Sequence, residues 1–502
     1  MMKRWLLAVI VCSLVAAGCG RYKEIPETIE TGQSSDGVAE DSSDSTQPEI
    51  QAETMETSVL PQKKPVKVKG IYISGYMAGS EGFQDILDKI KGTEINAVVI
   101  DVKNDDGRIT FAMDEAPTVK EIGAEKKYIR DMPAMMARLK ERGIYTIARV
   151  VAFRDPYLAE QKPEWSLKNK DGSLHRDNQG LAWVNPYCPE VWDYLVEVGE
   201  AASEAGFDEV QFDYIRFSTD SSMKQVAFDE KVTKGRSKTD IITEFIQYAY
   251  EKLSARNITV SADVFGTIIG SNVDAQAVGQ VYSDMTDHLD YICPMIYPSH
   301  YGDGNFGIDH PDMKPYDTIL AALNLSKADL DKTRREGEGQ AIVRPWLQDF
   351  TASYLKHHIS YGKKEIRDQI KAVYDAGYDE WILWSASNRY TWDALLSEED
   401  AKEEAEKIAQ LRASKEESKA AAEAEAAAEA KTAVETKAAA ETKPAVETKP
   451  VPDKAESQAE KSLEGSVAAE ETATQESRTG EALEKSKKRS KPPVVIVTTG
   501  GS

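Results

Sequence analysis

Two aspartates define the chemistry to consider. Asp213 stands in the run Glu209-Val-Gln-Phe-Asp-Tyr-Ile215 and Asp263 in Thr259-Val-Ser-Ala-Asp-Val-Phe265, both short and with matching alternation. Side chains along a strand point alternately to its two faces. Val210, Phe212 and Tyr214 therefore share one face and Gln211 and Asp213 the other, just as Val260, Ala262 and Val264 oppose Ser261 and Asp263. On neighbouring strands the two carboxylates would sit at matching depth. A pair about 5 Å apart suits a retaining cleavage of an acetal, in which one carboxylate attacks the anomeric carbon and the other protonates the leaving oxygen. Two like charges brought together raise one of the two pKa values, which supplies the needed asymmetry. Arg216, three residues after Asp213, offers a cation to hold that carboxylate ionised. Asp213 is accordingly assigned as nucleophile and Asp263 as acid/base. Either carboxylate could instead hold a loop or cap a helix.

The elements that must position this pair follow from the periodicity. Eight short apolar segments, 70–75, 97–103, 145–151, 209–215, 259–265, 291–297, 341–347 and 380–386, are separated by stretches with helical patterning at 83–91, 129–142, 189–205, 240–256, 273–289 and 364–376. Pro189 suits a first helical turn, Asn272 a cap, and Gly143, Gly206 and Gly377 the left-handed stop after a helix. Regular strand-helix alternation predicts an α/β fold, a (β/α)8 TIM barrel, over residues 66–396. No Gly-x-Gly-x-x-Gly turn directly follows any of these strand segments, as the alternative of a doubly wound open sheet would want.

In such a barrel the chemistry gathers at the carboxyl ends of the strands. Alternation places Asp101 and Lys103 on the inner face of the second segment, Arg149 on that of the third, and Arg344 with Trp346 on that of the seventh. Asp101, Arg149, Arg216 and Arg344 are candidates to orient the carboxylates or bind substrate hydroxyls, with structural ion pairing the alternative. Tyr297, Trp346 and Trp384 are candidates to stack on sugar faces, or are core aromatics. Asp349 is a possible third acid, and Trp183, Asn185 and Tyr187 could wall a subsite.

Several chemistries fit poorly. None of His175, His288, His300, His310, His357 and His358 falls inside a strand segment, as a catalytic metal centre would want, and His300 alone stands near the mouth. No Gly-x-Ser-x-Gly elbow or phosphate-binding glycine loop occurs. No metal and no organic cofactor is therefore expected. The net charge of −23 draws heavily on polar segments outside the barrel, and no sustained basic stripe points to nucleic acid.

The ends of the chain speak to location. Residues 1–19 run from Lys3-Arg4 through an apolar stretch to Ala16-Ala17-Gly18-Cys19, the pattern of a secretory signal whose cleavage leaves Cys19 to carry lipid. That predicts a membrane-anchored, extracytoplasmic protein of the bacterial cell surface. Residues 20–65 have too few apolar side chains to fold and are expected to be a disordered tether. Residues 397–502 form a low-complexity tail rich in Ala, Glu and Lys. Its first part has strong helix formers but no apolar stripe, and Pro444, Pro450 and Pro452 end any helix. Cys188 and Cys293 remain; they could pair, but Cys293 lies within a strand segment, and a small buried thiol is expected.

The motifs Gly70-Ile-Tyr-Ile-Ser74, Asp101-Val-Lys103, Ala148-Arg-Val150, Gln211-Phe-Asp-Tyr-Ile-Arg-Phe217, Ala262-Asp-Val-Phe-Gly266, Pro294-Met-Ile-Tyr-Pro298 and Arg344-Pro-Trp-Leu-Gln-Asp349 together resemble a bacterial family of glycoside hydrolase barrels, domain of unknown function 4015. The resemblance implies distant kinship with α-amylase-like barrels, where an Asp ending the fourth strand is the nucleophile and a Glu ending the fifth is the acid. Asp213 matches the first; Asp263 stands at the second but is one methylene shorter. The expectation is a surface glycoside hydrolase acting on a polysaccharide or cell-wall glycan, with a carbohydrate-binding barrel that lacks catalysis as the other reading.

Overall fold

A computed structural model describes residues 66–335 and 339–441. The signal, Cys12, Cys19, the tether and the end of the tail lie outside the described residues. Nine parallel segments make one sheet: β1 (Lys69–Ile73), β2 (Ala97–Lys103), β3 (Tyr145–Val151), β4 (Glu209–Asp213), β5 (Thr259–Phe265), β6 (Tyr291–Met295), β7 (Ile342–Val343), β8 (Trp346–Gln348) and β9 (Trp381–Trp384). Each pairs with the next from β1 to β6; β6 then pairs with both β7 and β8, β8 with β9, and β9 with β1. β7 and β8 are two halves of one stave, interrupted at Arg344-Pro345, where proline has no N–H for the ladder. The result is the expected closed eight-stranded α/β barrel.

Strand alternation sorts the apolar side chains into two cores. Tyr72, Val99, Ile147, Cys293, Tyr297 and Trp346 fill the barrel interior, while Ile71, Ile100, Ala148, Val210, Phe212 and Val260 face the helices outside. Burying such a side chain contributes about 1.5–3 kcal/mol, so inverting one strand's register would forfeit several at once. Helices form at Gly82–Ile90, Met132–Glu141, Pro189–Glu204, Lys238–Ser254 and Lys363–Asp375, close to the expected positions. Gly206 follows its helix at φ +110°, a backbone conformation that suits glycine.

Three elements depart from expectation. The single helix expected over 273–289 is two, Asn272–Val278 and Tyr282–Thr286, divided at Gly279, and its cap is Ser271 rather than Asn272. A helix at Pro315–Thr333 was not anticipated; its buried face mixes Ile319, Ala322 and Leu323 with Thr318 and Ser326, which blurs the apolar stripe. Lys103 does not share the interior with Asp101. A register shift between them leaves it in a buried ion pair with Asp155 at 2.7 Å, with the Tyr194 ring of helix Pro189–Glu204 at 5.9 Å.

The lower interior is held by Arg344, fully buried. Its guanidinium donates to Glu209 at 2.9 and 3.0 Å and to Glu380 at 2.9 Å, and lies 3.7 Å from the centre of the Tyr291 ring. Glu209 opens β4 and Glu380 precedes β9, so this cluster belongs to the amino end of the barrel, away from the mouth. The placement corrects the expectation that Arg344 would bind substrate or orient the carboxylate pair.

Helix Glu398–Glu441 runs to the last of the described residues, and its first turns dock on the barrel. Ala401 is buried, Glu404 accepts from Arg367 at 2.6 Å, and Arg412 donates to Asp379 at 2.6 Å and to the carbonyls of Tyr374 and Tyr378. The folded unit therefore extends to Arg412, beyond the expected boundary at 396. Among the described residues no helix is long and apolar enough to cross a membrane.

Two outcomes follow from this packing. Arg344→Met leaves Glu209 and Glu380 buried without their cation and should cost about 3–5 kcal/mol in urea unfolding, since removing one partner of a buried ion pair strands the other. Limited proteolysis should leave a resistant fragment whose carboxyl end maps near Arg412; Arg412→Ala should move that end back toward Leu396.

Candidate active site

The upper interior is organised around Arg149, the fifth of the seven residues of β3, which is 2% exposed. Strand pairing sets Asp101 of β2 directly beside it and Gln211 of β4 on its other side. Its Nη1 donates to Asp101 Oδ1 at 2.7 Å, and its Nε and Nη2 donate to Asp213 Oδ2 at 3.0 and 2.7 Å. Asp105, in the loop after β2, accepts from the same guanidinium at 3.3 and 3.4 Å. The three carboxylates raise the Arg149 pKa well above its ordinary value despite burial. For Asp101, burial pushes the carboxyl up and the Arg149 charge only partly offsets it; the Tyr72 hydroxyl donates to its Oδ2 at 2.6 Å.

Asp213 ends β4, and its second oxygen accepts from the backbone N–H of Tyr214 at 2.6 Å. Tyr214 adopts φ +53°, which favours glycine and costs a tyrosine about 1–3 kcal/mol. That conformation turns the chain so that the Asp213 carboxylate meets the amide that follows it. Both of its oxygens thus accept from donors, Arg149 on one and a backbone amide on the other.

Asp263, on β5 next to β4, has the opposite environment. Phe212 pairs with Ala262, so Asp213 and Asp263 are the next residues along the two strands. Asp263 is 2% exposed. Burial and the neighbouring Asp213 charge push its pKa well above the carboxylate range, although the Trp346 indole N–H donates to its Oδ1 at 2.6 Å and Arg149 pulls the other way. Gly266, just past β5, is needed where it stands: a Cβ there would lie 2.7 Å from the Met295 carbonyl oxygen.

The aromatic residues form one side of this site. Trp384, half-buried at the end of β9, packs on Tyr72 with ring centres 4.2 Å apart and meets Trp346 edge to face at 5.6 Å. The Arg149 guanidinium lies 5.7 Å from the Trp384 ring centre. Tyr297 follows β6, buried, and burial together with the charges of Asp263 and Asp213 raises its hydroxyl pKa far up. His300 meets Tyr297 edge to face at 5.0 Å; burial lowers its pKa to about 4, so the imidazole is neutral near pH 7.

Of the residues expected from sequence, Asp101, Arg149, Asp213, Asp263, Tyr297, Trp346 and Trp384 come together here. Arg216 does not pair with Asp213: it donates to the Phe217 carbonyl at 2.9 Å and lies over Phe265 at 4.3 Å and Tyr214 at 4.8 Å, while Arg149 takes its expected role. Asp349 has both oxygens taken by Thr391, at 2.7 and 2.9 Å, and ties down a loop. Trp183 donates to Asp177 at 3.1 Å and stands behind Tyr214, Asn185 accepts from the Tyr187 amide in a local turn, and the Tyr187 hydroxyl donates to the Arg236 carbonyl at 3.1 Å.

Tyr72, Asp105 and Arg154 were not foreseen. Arg154 donates to Tyr214 at 2.9 Å and to Asp105 at 3.4 Å, which closes the ring of charges at the mouth. Tyr72 was legible in principle, because the alternation applied to the other strands puts it inside with Ile71 and Ile73 outside. Asp105 and Arg154 lie in loops, where alternation says nothing.

Residues 70–390 match the family described as "Putative glycosyl hydrolase domain" (DUF4015). The chain belongs to this family. Among solved structures, a hypothetical protein from Ruminiclostridium thermocellum is 40% identical over 39% of this chain and 97% of its own, at TM-score 0.36. The glycoside hydrolase domain of PgaB (BpsB) from Bordetella bronchiseptica is 12% identical over 67% of this chain and 97% of that one, at TM-score 0.46. The α-galactosidase TtGalA from Thermus thermophilus is 12% identical over 70% and 63%, at TM-score 0.40. No curated protein matches the chain.

The electrostatics make a signed prediction. In a carboxyl carbon-13 titration, Asp263 should titrate well above an ordinary aspartate. Trp346→Phe removes a donor to the ionised form and should move that pKa further up, and Asp213→Asn removes the neighbouring charge and should move it down.

Proposed function

We propose that this family member is a retaining glycoside hydrolase in which Asp213 is the nucleophile and Asp263 the acid/base. One observation carries the reading: two carboxylates at the same level of adjacent strands have opposite electrostatic environments. Asp213 accepts from Arg149 and from a backbone amide, whereas Asp263 is raised by burial and by Asp213 itself. In the first step Asp263 would give its proton to the leaving oxygen while an Asp213 oxygen bonds to the anomeric carbon; Asp263, now ionised, then takes a proton from the water that releases the sugar. Asp101, Asp105 and Asp213 surround one guanidinium, and this surplus of negative charge would favour an oxocarbenium-like transition state.

The half-buried Trp384 beside Tyr72 would stack on a sugar face, and the substrate we propose is a polysaccharide or cell-wall glycan. The sequence of residues 1–19 supports a lipid on Cys19 and a place at the bacterial cell surface, which would put the barrel among such glycans.

Release of reducing ends from a panel of glycans tests the proposal. Asp213→Ala should lower turnover by about three or more orders of magnitude with the fold intact. Asp263→Ala should be severely impaired on natural linkages yet recover part of its rate on aryl glycosides, whose leaving group needs no proton. Glycan binding without release by the unaltered chain would favour a non-catalytic carbohydrate-binding barrel, for which the full hydrogen bonding of Asp213 is the supporting feature.

A further inference from the structure

Two loops at the carboxyl end of the barrel bring together Asp303, His310 and His357, residues that the carboxylate site does not use. The loop after β6 carries Asp303 and His310; the loop after β8 carries His357. The Nδ1 atoms of His310 and His357 each stand 3.1 Å from a different oxygen of the single Asp303 carboxylate. One nitrogen from each ring and a carboxylate oxygen all fall within 4.8 Å of one another. The two imidazoles lie close, with centres 3.8 Å apart and planes tilted by 41°.

The contact of His357 with Asp303 has the geometry of a hydrogen bond, but that of His310 does not. His310 Nδ1 is sealed from solvent, 3.1 Å from an oxygen, and still without a directed partner. A buried imidazole nitrogen without a directed partner, converging with a second imidazole on one carboxylate, suits a shared central cation. In a tetrahedral zinc site, metal-ligand bonds of about 2.0–2.2 Å put ligand atoms about 3.3–3.5 Å apart. The observed 3.1 Å needs only a small adjustment to reach that spacing. Imidazole and carboxylate ligands suit zinc and its first-row neighbours better than magnesium or calcium, which prefer oxygen alone.

We propose that Asp303, His310 and His357 bind one divalent zinc-class ion that staples the two loops, with a fourth position open to water on the exposed side of Asp303. The same loops are already joined deeper down. Asp312 accepts from Gln348 at 3.0 Å and from the backbone of Ile359 at 3.3 Å, and its carbonyl accepts from Tyr361 at 3.1 Å. The ion would close the outer end of that connection. Both loops spring from strands that present Tyr297 and Trp346 to the carboxylate site, so fixing them would steady one side of the mouth. The proposal does not depend on the hydrolase reading.

The test uses the untagged full chain, stripped with chelator and titrated with Co2+ and then Zn2+. The expected result is one equivalent of Co2+ with the visible absorption of a four-coordinate ion bearing nitrogen and oxygen ligands, displaced by Zn2+, and a thermal midpoint raised by Zn2+. His310→Ala combined with His357→Ala should abolish uptake and the thermal shift while unfolding like the stripped wild type; Asp303→Asn should weaken binding about tenfold or more. Asp213→Ala should bind as the wild type does. No uptake by the wild type, uptake unchanged in the double variant, or a thiolate-to-cobalt absorption band would overturn the proposal.

Discussion

A single guanidinium in the barrel interior imposes most of the order at the mouth. Arg149 is a permanent cation with almost no access to water, and such a charge persists only where anions and acceptors surround it. β2 and β4 flank β3 and supply them: Asp101 from one side, Asp213 from the other, and Asp105 from above. The demand is met several times over. Arg149 also pulls on Asp263 from across the next strand, but burial and the neighbouring Asp213 charge outweigh it and push the Asp263 pKa well above the carboxylate range. One arginine thus binds Asp213 directly and bears on Asp263 only through its charge.

A second arginine divides the interior into layers. Arg344 neutralises Glu209 and Glu380 near the amino end, and the aromatic and aliphatic side chains of Tyr291, Cys293, Ile147 and Val99 fill the space around and above it. Two buried charge clusters in one barrel carry a large desolvation cost, offset only because each guanidinium has several partners with good geometry. The break at Pro345 contributes to this division. It parts the seventh stave so that Arg344 belongs to the lower cluster while Trp346, two residues on, reaches Asp263 in the upper one.

The loop after β9 fastens the top of the barrel. Asn388, at φ +54°, donates to the Tyr72 carbonyl at 3.1 Å and accepts from the Ser74 hydroxyl at 2.9 Å, and Tyr390 donates to the same carbonyl. Tyr72 is thereby fixed at its backbone by the last strand's loop and at its hydroxyl by Asp101. The Trp384 face depends on Tyr72 for its support, so the aromatic side and the charged side of the mouth share one anchor.

The order of strands, the face on which Asp101, Arg149, Asp213 and Asp263 lie, and the barrel class were all legible in the sequence, because alternation along a strand is a local property that closure of the ring preserves. Family kinship was legible for a related reason: the motifs are short runs of sequence that lie in or directly beside the strands. Local pattern could not decide which charges meet. Arg216 is three residues from Asp213, yet the chain turns at Tyr214 and carries it onto the aromatic rings of Tyr214 and Phe265, while Arg149, 64 positions away, takes its place. Arg344 has the inward parity of a site residue but the depth of a floor residue, and depth depends on where β7 begins relative to β6. Lys103 lost its inward place to a register shift, and the docking of the helix after Ser397 rests on Ala401, Glu404 and Arg412, scattered contacts without an apolar stripe to announce them. Facing is set by period two along one strand; partnership is set by distances between strands and loops, which exist only once the barrel has closed.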